Sequence, residues 1–305
     1  MYQKTGQSVS PSYETIYFSM WEMGQRYGKF TKFRVMGESH DQRMIPALEI
    51  GEGEEVIFCI SGIRGTENVL PGLLVKLSEE YCKAYECGWL VDEFYEVKTL
   101  LDKIRICMIP LLNPDGYEIC RNGYTVIRNP VFRQMLRMQN CPHQSFICNA
   151  RGIDLKTNFP TNYYVRKQIH QEPASENETK AVIHMFQEYR SAGLLSFGLA
   201  EKRIVYYKQN NAFSYNQKSC RMARHLLKHS GSHLEREHRS NGDSVSEKST
   251  GSVEQFYAEV IRQPSLMIEL PVYSYEEAWE NGYRKKEYSE ISLLPLEYIH
   301  SLGHI

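Results

Sequence analysis

Three nearly unbroken apolar runs constrain the fold of this chain more than any other feature. They are VIFCI at 56–60, IRICMI at 104–109 and SLMIEL at 265–270. A strand that is apolar on both of its alternating faces is typical of a parallel sheet covered by helices on each side. The runs therefore predict buried, central strands.

Segments with helical periodicity lie between these runs. Apolar residues recur at intervals of three and four over 69–86, and the same spacing is found after Pro11, after Ser175 and over 214–229. Strands and helices alternate almost throughout, which predicts an α/β fold with a mixed, mostly parallel sheet sandwiched between helices, in a single domain over residues 1–305. The polar stretch 235–252 is expected to be an exposed loop.

Local signals add four expectations about element boundaries. Ser10 and Pro11 are typical of a helix N-cap and first turn. The string NPDG at 113–116 is interpreted as a turn. Ser175 and Glu178 have the spacing of a capping box. Residues 118–150 show no clear periodicity and are expected to form an irregular surface segment.

Composition excludes several classes of partner. Lys and Arg number 36 against 37 Asp and Glu, so no basic surface is expected for nucleic acid or an anionic membrane. No run approaches the roughly 18 apolar residues of a membrane span, and no secretory leader is recognisable, so a cytoplasmic protein is expected. The eight cysteines form no CxxC pair, which favours free, reduced, buried thiols.

Polar residues follow the predicted strands at positions where ligands gather in α/β sheets, namely the carboxyl ends of the strands. Arg64 and Glu67 follow VIFCI, Asn113 and Asp115 follow the second run, and Glu269 lies inside SLMIEL. A carboxylate within an apolar strand is costly unless a cation pairs with it. The sequence therefore predicts a metal ion or an arginine beside Glu269.

Several strings in a shared order resemble the zinc carboxypeptidases of the funnelin type, especially the bacterial branch that cleaves γ-D-glutamyl-diaminopimelate bonds. The resemblance extends over roughly residues 12–300. It implies a carboxypeptidase-like domain with a sheet of about eight strands. The strings that carry it are GES with Arg43, SGIRGTEN, LLVKLSEEY, PLLNPDGYEI, NARGIDLKTNFP, PASENETKA and FYAEVIRQPSLMIELP.

The same resemblance assigns roles to positions at which this chain departs from the family pattern. The three zinc-ligand positions fall on Arg64, Glu67 and Gly198, with Leu199 as the alternative if the alignment shifts by one. Of these, only Glu67 can bind a metal, as a residual ligand. Glu269 stands at the position of the general base.

The family's carboxylate-binding loop is also altered. Its D-L-N-R-N-F string reads Asp154 to Phe159 here, with Lys156 and Thr157 in place of asparagine and arginine. The two parallel hydrogen bonds of an arginine fork are therefore lost. Arg64, Lys156 and Asn158 remain the candidate ligand-binding residues, although Lys156 is equally well interpreted as an exposed loop lysine.

These substitutions suggest that Arg64 replaces the metal by bridging Glu67 and Glu269, with its guanidinium within about 4 Å of at least one carboxylate. The simpler interpretation of both acids is an ordinary ion pair. A relocated metal site on His225 and His229, one helical turn apart, is the alternative to a solvated helix face.

The sequence thus predicts a carboxypeptidase-like protein that lacks peptidase activity and holds no zinc. Its cleft would bind a peptide, a muropeptide-like ligand or a protein partner. Two alternatives stay open: an active zinc peptidase that uses other ligands, and an oligomeric scaffold without a ligand. The oligomeric state is not predicted.

Overall fold

The computed structural model is an α/β fold in which one large sheet lies between two layers of helices. It describes residues 11–162, 164, 166, 172–207, 212–230, 233–236, 251–271 and 285–303. The predicted fold class is confirmed.

Ten strands and nine helices are present in the described residues. The strands are β1 Thr31–Glu38, β2 Met44–Ile50, β3 Glu55–Ile60, β4 Leu90–Val91, β5 Tyr95–Glu96, β6 Ile104–Ile109, β7 Ser191–Ala200, β8 Arg203–Tyr206, β9 His233–Arg236 and β10 Ser265–Pro271. The helices are α1 Tyr13–Arg26, α2 Leu70–Cys87, α3 Val97–Leu101, α4 Pro114–Asn122, α5 Pro130–Met138, α6 Asn177–Glu188, α7 Phe213–Ser230, α8 Val253–Val260 and α9 Lys285–Leu302.

Eight strands form the main sheet, in the order β1-β2-β6-β3-β7-β10-β8-β9. The central strands β6, β3, β7 and β10 are mutually parallel, whereas β1, β2 and β8 pair in antiparallel fashion with their inner neighbours. The three apolar runs thus form β3, β6 and β10, as the sequence predicts. Because these strands and β7 run in one direction, their carboxyl ends share one edge of the sheet.

The core consists of two apolar layers, one on each face of the sheet. On one face, Met20 of α1, Leu73 of α2, Met222 of α7 and Leu294 of α9 belong to a single buried cluster. On the other face, α6 and α8 cover β3 through a second cluster that includes Phe186 and Tyr257. Since both faces are covered, strands without polar alternation are stable here.

Four predicted boundaries differ from the structure. Helix α1 is capped by Ser12, not Ser10. The NPDG string begins α4, because the Asn113 side chain accepts the Gly116 N–H as an N-cap and Pro114 occupies the first turn. The N-cap of α6 is Glu176, so the predicted capping box does not form.

The fourth difference concerns residues 118–150. The structure contains the end of α4, two short 3₁₀ turns and α5 in this segment. Ile119, Ile127, Leu136 and Phe146 form a small core of their own. The segment is therefore a packed layer.

The cysteines and the helices agree with the expectations from composition. All eight cysteines are free thiols, as predicted, but only Cys59, Cys82, Cys107 and Cys120 are buried. Within the described part of the chain, no helix combines the length and apolar character that a membrane crossing requires.

Candidate functional site

The carboxyl edge of the sheet brings together residues from four separate segments. Glu269 of β10 is directly paired in register with Gly198 of β7. An idealised Cβ atom built on Gly198 would have as its three nearest neighbours Glu269 Cγ at 3.8 Å, Lys156 Nζ at 3.8 Å and Glu67 Oε1 at 3.9 Å. We call the space around these four residues the cleft.

Glu67 is held by the turn that follows β3. Its Oε2 accepts the N–H of Ile63 at 2.9 Å and that of Arg64 at 3.3 Å, and the residue is 5% exposed. Burial raises the pKa of Glu67, while the charge of Lys156 is the largest influence that lowers it. Glu67 therefore depends on Lys156 more than on any other charged group.

Arg64 does not bridge Glu67 and Glu269, so that hypothesis is wrong. Its guanidinium instead donates to Asp154, from Nε to Oδ1 at 3.2 Å and from Nη2 to Oδ2 at 2.5 Å. Burial opposes the charge of Arg64, but this fork-like contact outweighs it and raises the pKa of the guanidinium. Asp154 was missed as its partner because the pairing depends on how two distant loops meet.

Glu269 has a partner that sequence reasoning also missed. The Arg203 side chain forms an ion pair with the Glu269 carboxylate, and the two residues are directly opposite on the antiparallel strands β8 and β10. The cation predicted beside Glu269 is thus Arg203. The sequence did contain a signal for this pairing, because Arg203 is the first residue of the RIVY strand.

Lys156 and Asn158, both from the loop before α6, have different surroundings. Lys156 lies in a short 3₁₀ turn, Leu155–Thr157, that begins at Asp154 and directs the ammonium group into the cleft. Asn158 is fully buried: its side-chain amide donates to Glu172 O and to Ser175 Oγ, and its Oδ1 accepts the Glu176 N–H. Asn158 therefore braces the loop, and only Lys156 of the pair reaches the cleft.

The residues of the cleft do not fit a catalytic zinc ion. Such a site needs three side chains with donor atoms and an open position for water. Here Gly198 has no side chain, the Arg64 guanidinium is engaged by Asp154, and the Lys156 ammonium lies within 4 Å of where a residue-198 ligand would begin. The described cleft contains the side chains of Glu67 and Glu269 together with the ammonium group of Lys156.

Two glycines of β7 give a test of this geometry. A Cβ at Gly198 makes only ordinary contacts, so Gly198→Ala should change stability by less than about 1 kcal/mol. A Cβ at Gly193 would overlap the buried Tyr298 ring, whose hydroxyl is fixed by Pro264 O, so Gly193→Ala should cost about 2–3 kcal/mol. Urea unfolding of both variants checks the prediction, and equal costs would contradict it.

A second polar cluster lies beside the first turn of α6. His40, Glu176 and Glu178 each offer one ligand atom, and these atoms lie within 4.8 Å of one another. These three residues form a possible metal-binding group, so the expected absence of zinc stays a prediction. Sequence spacing could not reveal the group, because His40 is more than 130 residues from the two acids.

The two carboxylates of this cluster have opposite electrostatic environments. Burial disfavours the charge of Glu176, but hydrogen bonds from His40, Ser175 and Asn149 and the charge of Arg151 outweigh it and lower the pKa of Glu176 to about 2. Burial, together with the charges of Asp115 and Glu176, raises the pKa of Glu178 to about 8.

The alternative histidine site receives no support from the described side chains. His225 of α7 contacts the carboxylate of Glu297. The side chain of His229 and residues 237–250 lie outside the described part of the chain.

Comparison with known proteins identifies carboxypeptidases among the relatives of this chain. A family model described as zinc carboxypeptidase matches residues 16–283. Carboxypeptidase D of Rattus norvegicus is 30% identical over 179 residues, which is 56% of this chain and 11% of that protein. The chain therefore spans about a tenth of the length of this relative.

Solved structures show the same architecture. Bovine thrombin-activatable fibrinolysis inhibitor, solved with tick carboxypeptidase inhibitor, aligns with a TM-score of 0.72 at 16% identity over 97% of this chain and 98% of its own. The murein-tripeptide amidase MpaA of Escherichia coli O157 aligns with a TM-score of 0.50 at 17% identity, over 86% of this chain and 91% of its own. At these sequence identities the likeness shows a shared fold and nothing more.

Proposed function

This chain belongs to the zinc carboxypeptidase family, and we propose that it is a noncatalytic member that binds the carboxylate end of a peptide in its cleft. The observation that carries the proposal is the position of Lys156 Nζ, 3.8 Å from an idealised Cβ on Gly198 and next to Glu67 and Glu269. A tethered ammonium group occupies the part of the cleft where the family resemblance places the metal.

The contacts of the cleft support the loss of hydrolysis. A metallopeptidase needs a Lewis acid that lowers the pKa of a bound water, and an ammonium group supplies charge without that function. The carboxylate at the general-base position, Glu269, is paired with Arg203. To take a proton from water it would have to give up this ion pair, which opposes proton transfer.

Two cations on one side of the cleft support a carboxylate ligand. Asp154 Oδ1 accepts both the Arg64 Nε–H and the backbone N–H of Lys156, so Arg64 and Lys156 are held together. The Arg64 side chain is 32% exposed. Since the family's arginine fork is absent, we expect a single-point contact that is weak and sensitive to salt.

The likeness to a murein-tripeptide amidase supports muropeptides as the first ligands to test. We expect the tripeptide L-alanyl-γ-D-glutamyl-diaminopimelate to raise the melting temperature without being cleaved, because a ligand that binds only the folded state stabilises it. Amidation of the terminal carboxylate should abolish the shift. Melting curves and chromatography of the peptide provide the two measurements.

A matched pair of lysine variants controls this experiment. Lys156→Met should remove the shift, whereas Lys32→Met, at an exposed position on β1, should retain it. Cleavage of the tripeptide that a chelator abolishes would overturn the proposal in favour of an active metallopeptidase. A shift that persists in Lys156→Met would show that the ligand binds elsewhere.

Restoring the family's ligands tests whether Lys156 replaces the metal. We expect Arg64→His with Gly198→His to bind zinc weakly, because the ammonium group repels the ion. Adding Lys156→Asn should tighten binding at least 100-fold, because even two unit charges 4 Å apart repel by about 4 kcal/mol at an effective dielectric near 20. Competition with a chromophoric chelator measures the difference.

One further variant tests this comparison. Adding Glu67→Gln to the triple variant should abolish the zinc binding that the restored histidines add, if these histidines act with Glu67. Equal affinities of the double and triple variants would contradict the role given to Lys156.

A further inference from the structure

We propose that His40, Glu176 and Glu178 form a binding site for a divalent transition-metal ion, separate from the cleft and independent of its proposed function. His40 comes from the β1–β2 turn, Glu176 is the N-cap of α6, and Glu178 lies in the first turn of that helix. The site would fasten this turn to the helix and to the segment that carries Asn149.

The donor set suits such an ion. One imidazole nitrogen and two carboxylate oxygens are ligands found at protein zinc sites, and three protein ligands leave a position for water. Two donor atoms bound at about 2.1 Å to a tetrahedral zinc ion lie about 3.4 Å apart. His40 Nε2 and Glu176 Oε2 are 3.2 Å apart, which fits two adjacent ligands of one ion.

The charges around Glu178 independently support a bound cation. Four acidic side chains are buried in this region, and three of them form ion pairs with arginines. Arg43 pairs with Asp41 and Asp115, and Arg151 pairs with Glu176. Glu178 is 0% exposed, and among the described residues no cation lies within 4 Å of its carboxylate.

The hydrogen bonds of Glu178 do not replace a cation. Its two carboxylate oxygens receive only the Asn149 Nδ2 group among other side chains of the described chain, at 3.4 Å each, and that amide is directed closely at Glu176 at 2.7 Å. The N-terminus of α6 adds about half a positive charge, shared with Glu176. In its ionised form Glu178 therefore has no full counter-charge within 4 Å among the described residues, and a metal ion would supply one.

His40 supplies a further geometric indication. Its Nε2 faces Glu176 Oε2 at 3.2 Å and also faces the Asn177 N–H at 3.4 Å. When this nitrogen carries a proton it donates to the Glu176 carboxylate, and when it does not, its lone pair faces that carboxylate oxygen and is free to bind an ion. A cation between them satisfies both. The His40 side chain is 18% exposed, so an ion can reach the site from solvent.

Zinc titration of the purified full chain, first stripped with a chelator, tests the site. We expect one equivalent of Zn²⁺ to bind with micromolar or tighter affinity and to raise the melting temperature by several degrees. Co²⁺ should bind competitively and give visible d–d absorption bands of low-symmetry coordination. Mg²⁺ should bind at least 100-fold more weakly because it disfavours imidazole.

Variants locate the bound ion. His40→Ala and Glu178→Gln should each weaken zinc binding at least 30-fold, with circular dichroism confirming that both variants fold. His184→Ala is the matched control, because His184 lies on the same helix, pairs with Glu188 and is largely exposed. Glu67→Gln should leave binding unchanged, which separates this site from the cleft.

Each other outcome overturns the proposal. Zinc that binds equally well to His40→Ala lies elsewhere in the chain. Zinc lost in Glu67→Gln would locate the ion in the cleft and would contradict the proposed noncatalytic role as well. If no zinc binds below 100 µM while the protein is folded, Glu178 is neutralised by a proton.

Discussion

Replacing Arg43 with methionine should lower the free energy of unfolding by about 3–5 kcal/mol, the largest effect we expect from a single substitution. Arg43 is 6% exposed, and its Nη1 donates to Asp41 at 2.7 Å and to Asp115 at 2.8 Å, while Nη2 donates to Val126 O at 2.9 Å. Methionine would fill most of the volume but leave two buried carboxylates without their cation.

The partners that remain decide how the loss would depend on pH. Asp115 keeps hydrogen bonds from the Ser39 hydroxyl and the Asp41 N–H, but burial already raises the pKa of Asp115. In the variant this carboxyl should bind a proton more readily, so the deficit relative to the wild type should shrink from pH 7 to pH 5. Urea unfolding at these two pH values measures the change.

Arg64→Met is the matched control, since it also removes an arginine from an ion pair. The Arg64 side chain is 32% exposed and pairs with Asp154, whose side chain is also partly exposed. The free energy of unfolding should therefore fall by about 1 kcal/mol or less. Combining Arg43→Met with Asp115→Asn should recover part of the deficit. Equal costs for the two arginine substitutions would contradict the assigned burial of charge.

In chelator, Glu178→Gln should remove a pH dependence of stability worth roughly 3–4 kcal/mol between pH 5 and pH 8. The pKa of Glu178 is raised from 4.5 to about 8 by burial and by neighbouring carboxylates. Over this range the folded protein retains a proton that the unfolded chain releases, so raising the pH favours unfolding. The contribution is fully present below pH 4.5 and lost above pH 8.

Glu176→Gln is the control on the same turn. The pKa of Glu176 is lowered to about 2, so its stabilising contribution is present above pH 4.5 and lost only as the pH falls toward 2. This variant should lose stability throughout pH 5 to pH 8 and reduce the pH slope only in part, because Glu176 is one of two carboxylates that raise the pKa of Glu178. Denaturant unfolding at each pH gives both curves, and a slope unchanged in Glu178→Gln would contradict the assignment.

The strands of the sheet were predictable because burial on both faces is written directly in the sequence. VIFCI, IRICMI and SLMIEL form three of the four central parallel strands, and the convergence of Glu67 and Glu269 follows from the shared carboxyl edge. Boundaries were less predictable. Asn-Pro-Asp-Gly suits a turn and a helix N-terminus equally, and only packing on the segment 118–150 selects the helix.

The partners of the charged residues could not be predicted, because each pairing joins segments far apart in the chain. Arg64 was expected to reach the acid three residues away, yet the turn uses the backbone N–H groups of Ile63 and Arg64 to hold Glu67. The guanidinium is thus left for Asp154. Likewise, a 3₁₀ turn rather than any spacing rule directs Lys156 toward Gly198.

The ammonium group at Gly198 is part of the polypeptide, and this has a consequence for the cell. An exchangeable ion leaves a protein empty when the supply is short and lets chelators or competing metals change its state. A lysine side chain, in contrast, is present in every protein molecule as soon as the chain has been synthesised. Whatever binds beside Lys156 would therefore meet the same positive charge in zinc-starved and zinc-replete cells alike.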